Sequence, residues 1–191
     1  MPLAVLLPLS LARLREGVDT GVAGVTWQAM NDMRDRFVHA MSRCAASVSV
    51  VTTDGPAGRA GLTVSAMTSV SADGDAPTML VCINRGATAA DPILANGCFA
   101  INVLEAHQQD VADTFAGRTD AADRFADLPW EVLETGAPVL HGLAGFDCEV
   151  QSADLVGTHH VIIGAVRAVR VSEDGTPLIY GMRSYLRAER A

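Results

Sequence analysis

Hydrophobic positions recur at helical spacing near the start of the chain and at strand spacing over most of the remainder. Met30, Met33, Phe37, Met41 and Cys44 lie three or four residues apart with charged residues between them. This pattern predicts an amphipathic helix whose apolar stripe packs in the core. Apolar runs bounded by turn signals predict strands at 47–53, 61–71, 78–84, 99–104, 146–152, 160–171 and 177–180.

Shorter helices are predicted between some of these strands. Asp91 and Pro92 match the preferences of a helix start, and Gly97 matches those of a helix end. Segments 108–115 and 121–125 are also predicted to be helical. Because strands outnumber helices and do not alternate regularly with them, we expect a mainly β, α+β fold, an antiparallel barrel with helices around it.

Composition narrows the possible functions. The chain has 191 residues, 49% of them hydrophobic and 19% charged, which suits one compact domain. Its net charge is −8 and no basic run concentrates positive charge, so nucleic acid and membrane surfaces are not expected partners. All 14 basic residues are Arg, which excludes lysine Schiff-base chemistry and the lysine of a Walker loop.

The N-terminal residues and the cysteines give predictions about domain boundaries and cellular location. Residues 1–29 are expected to be an N-terminal extension, either disordered, loosely attached or an over-long start with Met30 as the true beginning, and residues 30–191 form the domain. Neither a signal peptide nor a membrane span is expected. Four scattered cysteines predict free thiols and a cytoplasmic protein: Cys44, Cys82, Cys98 and Cys148.

The segment 61–71 carries the most informative chemistry, because it places five hydroxyls among small residues in a predicted strand. Small residues let a ligand approach the backbone, and hydroxyls hold phosphate oxygens. Arg85, after the next strand, supplies a guanidinium that fits phosphate. The alternative is a solvated, Thr-rich edge strand followed by an Arg in solvent. The chain contains neither G-x-G-x-x-G nor G-x-S-x-G, so a Rossmann or hydrolase motif is not indicated.

Several ordered sequence blocks together resemble the short-chain flavin reductases, a family with a split β-barrel that supplies reduced flavin to two-component monooxygenases. The resemblance covers about residues 36–185. Within the family, the chain most resembles the reductases that serve 4-hydroxyphenylacetate hydroxylase and pyrimidine-ring-opening monooxygenase. The blocks that carry it are Val51-Thr52-Thr53-Asp54-Gly55, 61–71, Val81-Cys82-Ile83-Asn84-Arg85, 99–104, Arg124-Phe125 with Trp130, Pro138-Val139-Leu140 and Gly157-Thr158-His159.

The resemblance implies a set of flavin-binding residues. It implies that Asn102 lies near the flavin ring or ribityl hydroxyls, whereas the alternative is an Asn that hydrogen-bonds neighbouring backbone. Tyr185 lies where C-terminal family residues approach the cofactor. The FMN phosphate and ribityl chain are expected against Thr63, Val64, Ser65, Ala66 and Ser69, with Asn84, Arg85 and Thr88 from the following turn.

The resemblance also implies a site for the nicotinamide nucleotide. His159 is expected to contact NADH as it stacks on the flavin, while His160 faces the opposite way on the strand. The alternative for His159 is a structural histidine bonded to backbone. Arg124 and Phe125 match a family segment that approaches the same nucleotide.

The activity that follows from the resemblance is hydride transfer from C4 of NADH to N5 of FMN, with FAD and riboflavin as other acceptors. Reduced flavin would leave for a partner monooxygenase, and the protein would be a homodimer. Two other interpretations are a non-catalytic flavin-binding protein on the same fold and an interaction module that binds no flavin. Following NADH absorbance with and without FMN separates the three.

Overall fold

The structure is a computed structural model that describes residues 27–119 and 123–189. The predicted N-terminal extension therefore lies outside the described residues up to residue 26. Within the described ranges the helices are α1 Trp27–Met41, α2 Ala90–Asn96 and α3 Gln109–Phe115. The strands are β1 Ala46–Ser47, β2 Ser49–Thr53, β3 Ala60–Val64, β4 Met67–Ser71, β5 Thr78–Asn84, β6 Cys98–Val103, β7 Trp130–Val132, β8 Pro138–Leu140, β9 Ala144–Val156, β10 His159–Val171, β11 Leu178–Gly181 and β12 Ser184–Arg187.

Seven strands form one antiparallel sheet in the order β3-β2-β6-β9-β10-β5-β4. Its two edge strands, β3 and β4, are consecutive in the chain and are joined only by Ser65 and Ala66. In a flat sheet these edges would lie about 29 Å apart, whereas a two-residue link spans at most about 11 Å. The sheet must therefore curl until its edges approach, which gives a split barrel whose opening is bridged by this link. The expected mainly β fold of antiparallel strands with helices around it is confirmed.

Two hydrophobic clusters cover the two faces of β2, whose five residues are all buried. Burial on both faces explains why Val50 and Val51 are adjacent apolar residues, and the buried Thr52 and Thr53 hydroxyls donate to backbone carbonyls. The inner cluster fills the barrel and includes Val51, Val81, Ile83, Phe99, Ile101 and Ile162. The outer cluster packs β2 against α3 and the small sheet β1-β11-β12, and includes Val48, Val50, Ala112, Phe115 and Leu178.

Helix α1 forms where it is predicted, but its apolar stripe does not pack in the core. Met33 is 64% exposed and Phe37 is 63% exposed. The C-terminal end of the helix is tied to the turn between β11 and β12 by a hydrogen bond from Met182 N to Ser42 O of 2.7 Å. The prediction of core packing is therefore wrong within a single chain, because periodicity identifies an apolar face without identifying what covers it.

The predicted strand 61–71 is two strands, β3 and β4, which pair with different neighbours. No Gly, Pro, Asn or Asp lies between Leu62 and Ser71, so no turn signal reveals that the partner changes from β2 to β5. Residues 123–125 form a turn rather than the predicted helix, and residues 121 and 122 lie outside the described ranges. In α2 the N-cap is Ala89, so Asp91 lies in the first turn, while Gly97 takes the expected left-handed conformation.

Candidate functional site

The turn after β5 and the tip of the β9–β10 hairpin form one surface of the barrel. His159 pairs with Asn84 across the two strands. Arg85 N donates to Thr158 O at 3.0 Å, and the Nδ1 atom of His159 lies 3.0 Å from the hydroxyl of Thr158. The turn itself is closed by a hydrogen bond from Gly86 N to Asn84 Oδ1 of 2.8 Å. The structure therefore brings Asn84, Arg85 and His159 together.

The Ser65–Ala66 link lies beside the same strand. Cys82 N donates to Ala66 O at 3.0 Å, two residues before Asn84. Burial raises the pKa of the Cys82 thiol, so it stays protonated at neutral pH and is a poor nucleophile. The barrel opening, the turn after β5 and the hairpin tip are thus three neighbouring parts of one surface.

This surface carries polar groups that the rest of the protein does not use. Across the described ranges, the hydroxyls of Ser65, Ser69 and Thr88 and the guanidinium of Arg85 have no hydrogen-bond or ion-pair partner. Thr88 and Arg85 are exposed, and Ser65 is half-buried. Ser69 is exposed on β4 opposite Met79, about 16 Å of strand before Asn84, so it lies apart from the other three. Hydroxyl donors with one guanidinium fit the acceptor oxygens of a phosphate group. The donor set therefore fits the expected ligand.

Other predicted site residues have their polar groups engaged within the protein. The Thr63 hydroxyl donates to Ala112 O on α3 at 2.7 Å. Val64 is buried in the barrel core. Asn84 uses its Oδ1 atom to close the turn after β5. These residues shape the backbone of the surface, while the uncommitted donors lie at Ser65, Ser69, Arg85 and Thr88.

Asn102 is fully buried and its amide is saturated by the protein. Its Nδ2 atom donates to Val50 O and to the Thr52 hydroxyl, both at 3.0 Å, and its Oδ1 atom accepts from Leu140 N at 2.8 Å. These contacts join β2, β6 and β8. They match the alternative interpretation, in which Asn102 satisfies neighbouring backbone, and leave no free polar atom for a flavin.

Tyr185 is likewise engaged. Its hydroxyl donates to Asp113 Oδ1 at 2.7 Å, and its ring packs edge-on against Tyr180. Burial and the hydrogen bond to Asp113 raise the pKa of Tyr185, so the phenol is neutral over the physiological range. The residue therefore connects β12 to α3.

Arg124 and Phe125 lie against the start of β3. Arg124 Nη1 donates to Gly61 O at 3.3 Å, about 13 Å along the chain from Ser65 at strand spacing. Phe125 is buried and meets Phe115 edge-on, with ring centroids 5.0 Å apart. Phe125 is thus a core residue, and Arg124 is the member of the pair with surface to offer a ligand.

His159 and His160 point to opposite faces of β10. His159 shares its face with Asn84, whereas His160 pairs with Ile83, whose side chain is inside the barrel. Sequence reasoning gave no role to Thr158, although its carbonyl holds Arg85 and its hydroxyl contacts His159. Its place in the Gly-Thr-His block was the available signal.

Gly61 serves packing rather than ligand approach. A Cβ atom there would lie 2.6 Å from Cε1 of Phe115, so the glycine makes room for that ring. The reading of Gly61 as space for a ligand is therefore replaced by a packing role.

Within 27–119 and 123–189, no helix has the length and apolar character needed to cross a bilayer. The same residues contain no group of three or more His, Cys, Asp or Glu side chains arranged to hold a metal ion.

Comparisons with known proteins agree with this architecture. The family model described as flavin reductase like domain matches residues 41–189. The chain is 48% identical over 150 residues to FMN reductase (NADH) RutF 2 of Methylorubrum extorquens strain PA1, an alignment that covers 78% of this chain and 86% of that protein. It is 45% identical over 150 residues to FMN reductase (NADH) RutF of Agrobacterium fabrum strain C58, covering 78% and 85%.

Solved structures show the same fold. A putative flavin reductase from Haemophilus somnus 129PT has a TM-score of 0.76 and 35% identity, covering 81% of this chain and 98% of that one. The Streptomyces globisporus NADH:FAD oxidoreductase SgcE6 in complex with NAD and FAD fragments has a TM-score of 0.74 and 26% identity, covering 83% and 94%. With a family model over most of its length and relatives above 40% identity, the chain belongs to the flavin reductase-like family.

Proposed function

We propose that this protein is an NADH-dependent FMN reductase that releases reduced flavin to a separate monooxygenase. Two of its relatives carry the name FMN reductase (NADH) RutF, which supports the choice of both nucleotides. FAD is the second acceptor to test, because SgcE6 is named an NADH:FAD oxidoreductase.

The observation that carries the proposal is the pairing of unused phosphate donors with His159 on one surface. The hydrogen bond from Arg85 N to Thr158 O fixes the turn after β5 against the residue before His159. A phosphate bound by Arg85, Ser65 and Thr88 would therefore have its attached ring system near the histidine. This arrangement suits a flavin whose tail is gripped by the donors and whose ring faces a second nucleotide.

The role of the protein in the reaction is to bind and orient. Bound FMN supplies the chemistry, since its N5 accepts the hydride that C4 of NADH donates. Arg85 and the hydroxyls hold the phosphate, and the outer face of β10 presents His159 to the nucleotide. Holding two rings at reacting distance replaces a bimolecular encounter with an oriented one, which is a large source of rate.

The electrostatics favour moderate flavin affinity. FMN is an anion and the protein carries a net charge of −8, so Arg85 is a local cation in an unfavourable overall field. A micromolar complex corresponds to about 8 kcal/mol, whereas a nanomolar complex would retain the product that must leave. An exposed cradle of neutral hydroxyls and one guanidinium fits release of reduced flavin.

The proposal includes a cytoplasmic homodimer. The exposed apolar stripe of α1, Met33 and Phe37 above all, is a surface that a second copy would cover. Four free cysteines suit a reducing compartment. Light scattering of the wild type and of Phe37→Asp tests the dimer, because a charge in a buried interface weakens association. Equal masses at monomer size for both proteins would contradict it.

The activity is tested by following NADH absorbance with FMN, FAD, riboflavin or no flavin. Flavin-dependent oxidation of NADH is expected. A protein that binds flavin and leaves NADH untouched would refute the enzyme and favour flavin storage.

Two variants test the residues. Arg85→Ala is expected to weaken FMN binding by about tenfold while leaving the rate at saturating flavin nearly unchanged, since a charged phosphate contact contributes about 1.5 kcal/mol or more. Arg43→Ala removes the same charge from an exposed position after α1 and is the control. His159→Ala is expected to raise the KM for NADH, whereas an effect on stability alone would make this histidine structural.

A further inference from the structure

Residues 123–130 reach β3 without forming a helix or strand before Trp130. Side-chain contacts hold the beginning of this segment against the start of that strand. Arg124 donates to Gly61 O, and Phe125 packs on the Phe115 ring that covers Gly61. The far end of the segment is held by backbone pairing with β8, since Trp130 pairs with Leu140 and His141 N donates to Pro129 O at 3.1 Å.

Arg59 joins the two ends of the segment through the side chains of Phe125 and Trp130. Its guanidinium carbon lies 4.8 Å from the centroid of the Trp130 ring and 5.5 Å from that of Phe125. Both distances are within the range of a cation–π interaction, in which Trp is the strongest partner. One cation therefore holds two aromatic residues that are five positions apart.

The orientation of Arg59 is itself fixed. Its Nε atom donates to Asp54 Oδ2 at 2.9 Å, and Asp54 Oδ1 accepts from Gly55 N at 2.9 Å. Asp54 thus orients the guanidinium through an ion pair. The ion pair also shows that Arg59 is committed within the protein, in contrast to Arg85.

The turn that carries Arg59 is anchored to α2. The Asn96 side chain accepts from Ala57 N at 2.8 Å and donates to Gly58 O at 3.0 Å and to the Thr53 hydroxyl at 3.1 Å. A Cβ atom at Gly55 would lie 2.8 Å from Asn96 Oδ1, so the turn packs closely on this side chain. The backbone just before Arg59 is therefore held in place by Asn96.

From these contacts we infer that Arg59 is a positioning residue, which fixes residues 123–130 on β3 and thereby presents Arg124 to the nicotinamide nucleotide. The inference rests on the proposed function. Arg59 does not need to touch the nucleotide, because its aromatic partners flank the segment that does. Its loss should weaken nucleotide binding while leaving the FMN phosphate donors around Arg85 in place.

The test compares Arg59→Met and Arg59→Lys with Arg167→Met. Arg167 is a matched control, because its side chain is 42% exposed against 40% for Arg59 and its Nε also donates to a carboxylate at 2.9 Å. It lies on β10 and pairs with Glu149. The three changes are made in a Trp27→Phe background, so that Trp130 is the only tryptophan of the chain.

In Arg59→Met the KM for NADH and the Kd for NAD⁺ are expected to rise about tenfold, because a displaced binding group loses most of its contact. The kcat and the Kd for FMN should stay within about twofold, because neither depends on this segment. The emission of Trp130 should shift in the absence of ligand. Arg59→Lys should give smaller changes, since Lys keeps the charge but not the flat stacking surface. Arg167→Met should match the wild type.

Two results would overturn the inference. An unchanged Trp130 emission in Arg59→Met would mean that the cation does not hold the segment. A shifted emission with an unchanged KM and Kd for the nicotinamide nucleotide would mean that the segment does not serve the nucleotide. If the wild type oxidises no NADH with any flavin, the proposed function fails and the inference falls with it, a result distinct from a defect confined to the Arg59 variants.

Discussion

Replacing Gly61 with Ala tests the packing at the start of β3. The added Cβ atom would lie 2.6 Å from Cε1 and 2.9 Å from Cδ1 of Phe115, and 3.2 Å from Val51 O. Phe115 is 2% exposed and its ring is held edge-on by Phe125. The ring is buried and already contacts Phe125, so moving it away from the new methyl group would disturb that contact.

The expected magnitude follows from two opposing effects. Overpacking a close-packed core costs about 1–3 kcal/mol, while Ala gains about 0.5–1 kcal/mol over Gly in a strand through its lower backbone entropy. The net loss in the free energy of unfolding should be about 1–2 kcal/mol. FMN affinity of the folded variant should stay unchanged, because the uncommitted donors begin at Ser65.

Urea unfolding at 25 °C, followed by circular dichroism, measures the loss. Phe115→Leu replaces the ring with a smaller side chain and so makes room for the added methyl group. The double variant should therefore lose about 1 kcal/mol less free energy of unfolding than the two single variants lose together. A Gly61→Ala protein that is as stable as the wild type but binds FMN more weakly would refute this reasoning and restore the view of Gly61 as space for a ligand.

Three further predictions concern buried or half-buried groups. Asn102→Ala should lower stability by about 2–4 kcal/mol in urea unfolding, because buried Leu140 N loses its acceptor, while Val50 O and the Thr52 hydroxyl each lose a donor; normal stability with lost FMN binding would contradict the structural role. Burial, with a smaller contribution from Asp147, raises the pKa of Cys148 from 9.0 to about 12. The unfolded chain ionises first, so this contribution to stability is intact below pH 9 and is lost as the pH rises towards 12. Between pH 8 and pH 10 the free energy of unfolding of the wild type should fall by about 1.4 kcal/mol more than that of Cys148→Ala. An equal pH dependence of unfolding in the two proteins would disprove this prediction. Tyr185→Phe should cost about 1–2 kcal/mol of stability through the lost bond to Asp113 with kcat unchanged, and a large fall in kcat in a stable variant would reassign Tyr185 to the site.

Strands with uninterrupted apolar character could be predicted closely from the sequence. The strand predicted at 78–84 matches β5, and those predicted at 99–104 and 160–171 match β6 and β10 to within a residue at either end. Burial on both faces or regular alternation sets these patterns directly. The division of 61–71 was missed because the change of pairing partner is not marked by a turn residue in the sequence.

The candidate site was predicted unevenly for a related reason. Arg85 and His159 could be named from local sequence blocks, and both reach the surface at the turn and hairpin tip. The engagement of Asn102 by Val50, Thr52 and Leu140 depends on strands far apart in the chain, which no local pattern reports. Arg59 was missed because its significance lies in rings that are distant in sequence.

The two-residue link between β3 and β4 has a consequence for the coupling of folding to ligand binding. A phosphate held by Ser65 and Arg85 would connect the link to the turn after β5. It would therefore oppose separation of the sheet edges where only this link joins them. Flavin at 100 times its Kd should then raise the free energy of unfolding by about 2.7 kcal/mol. Amide hydrogens of β3 and β4 should gain the greatest protection from exchange, because the bound ligand reversibly stabilises the closed barrel.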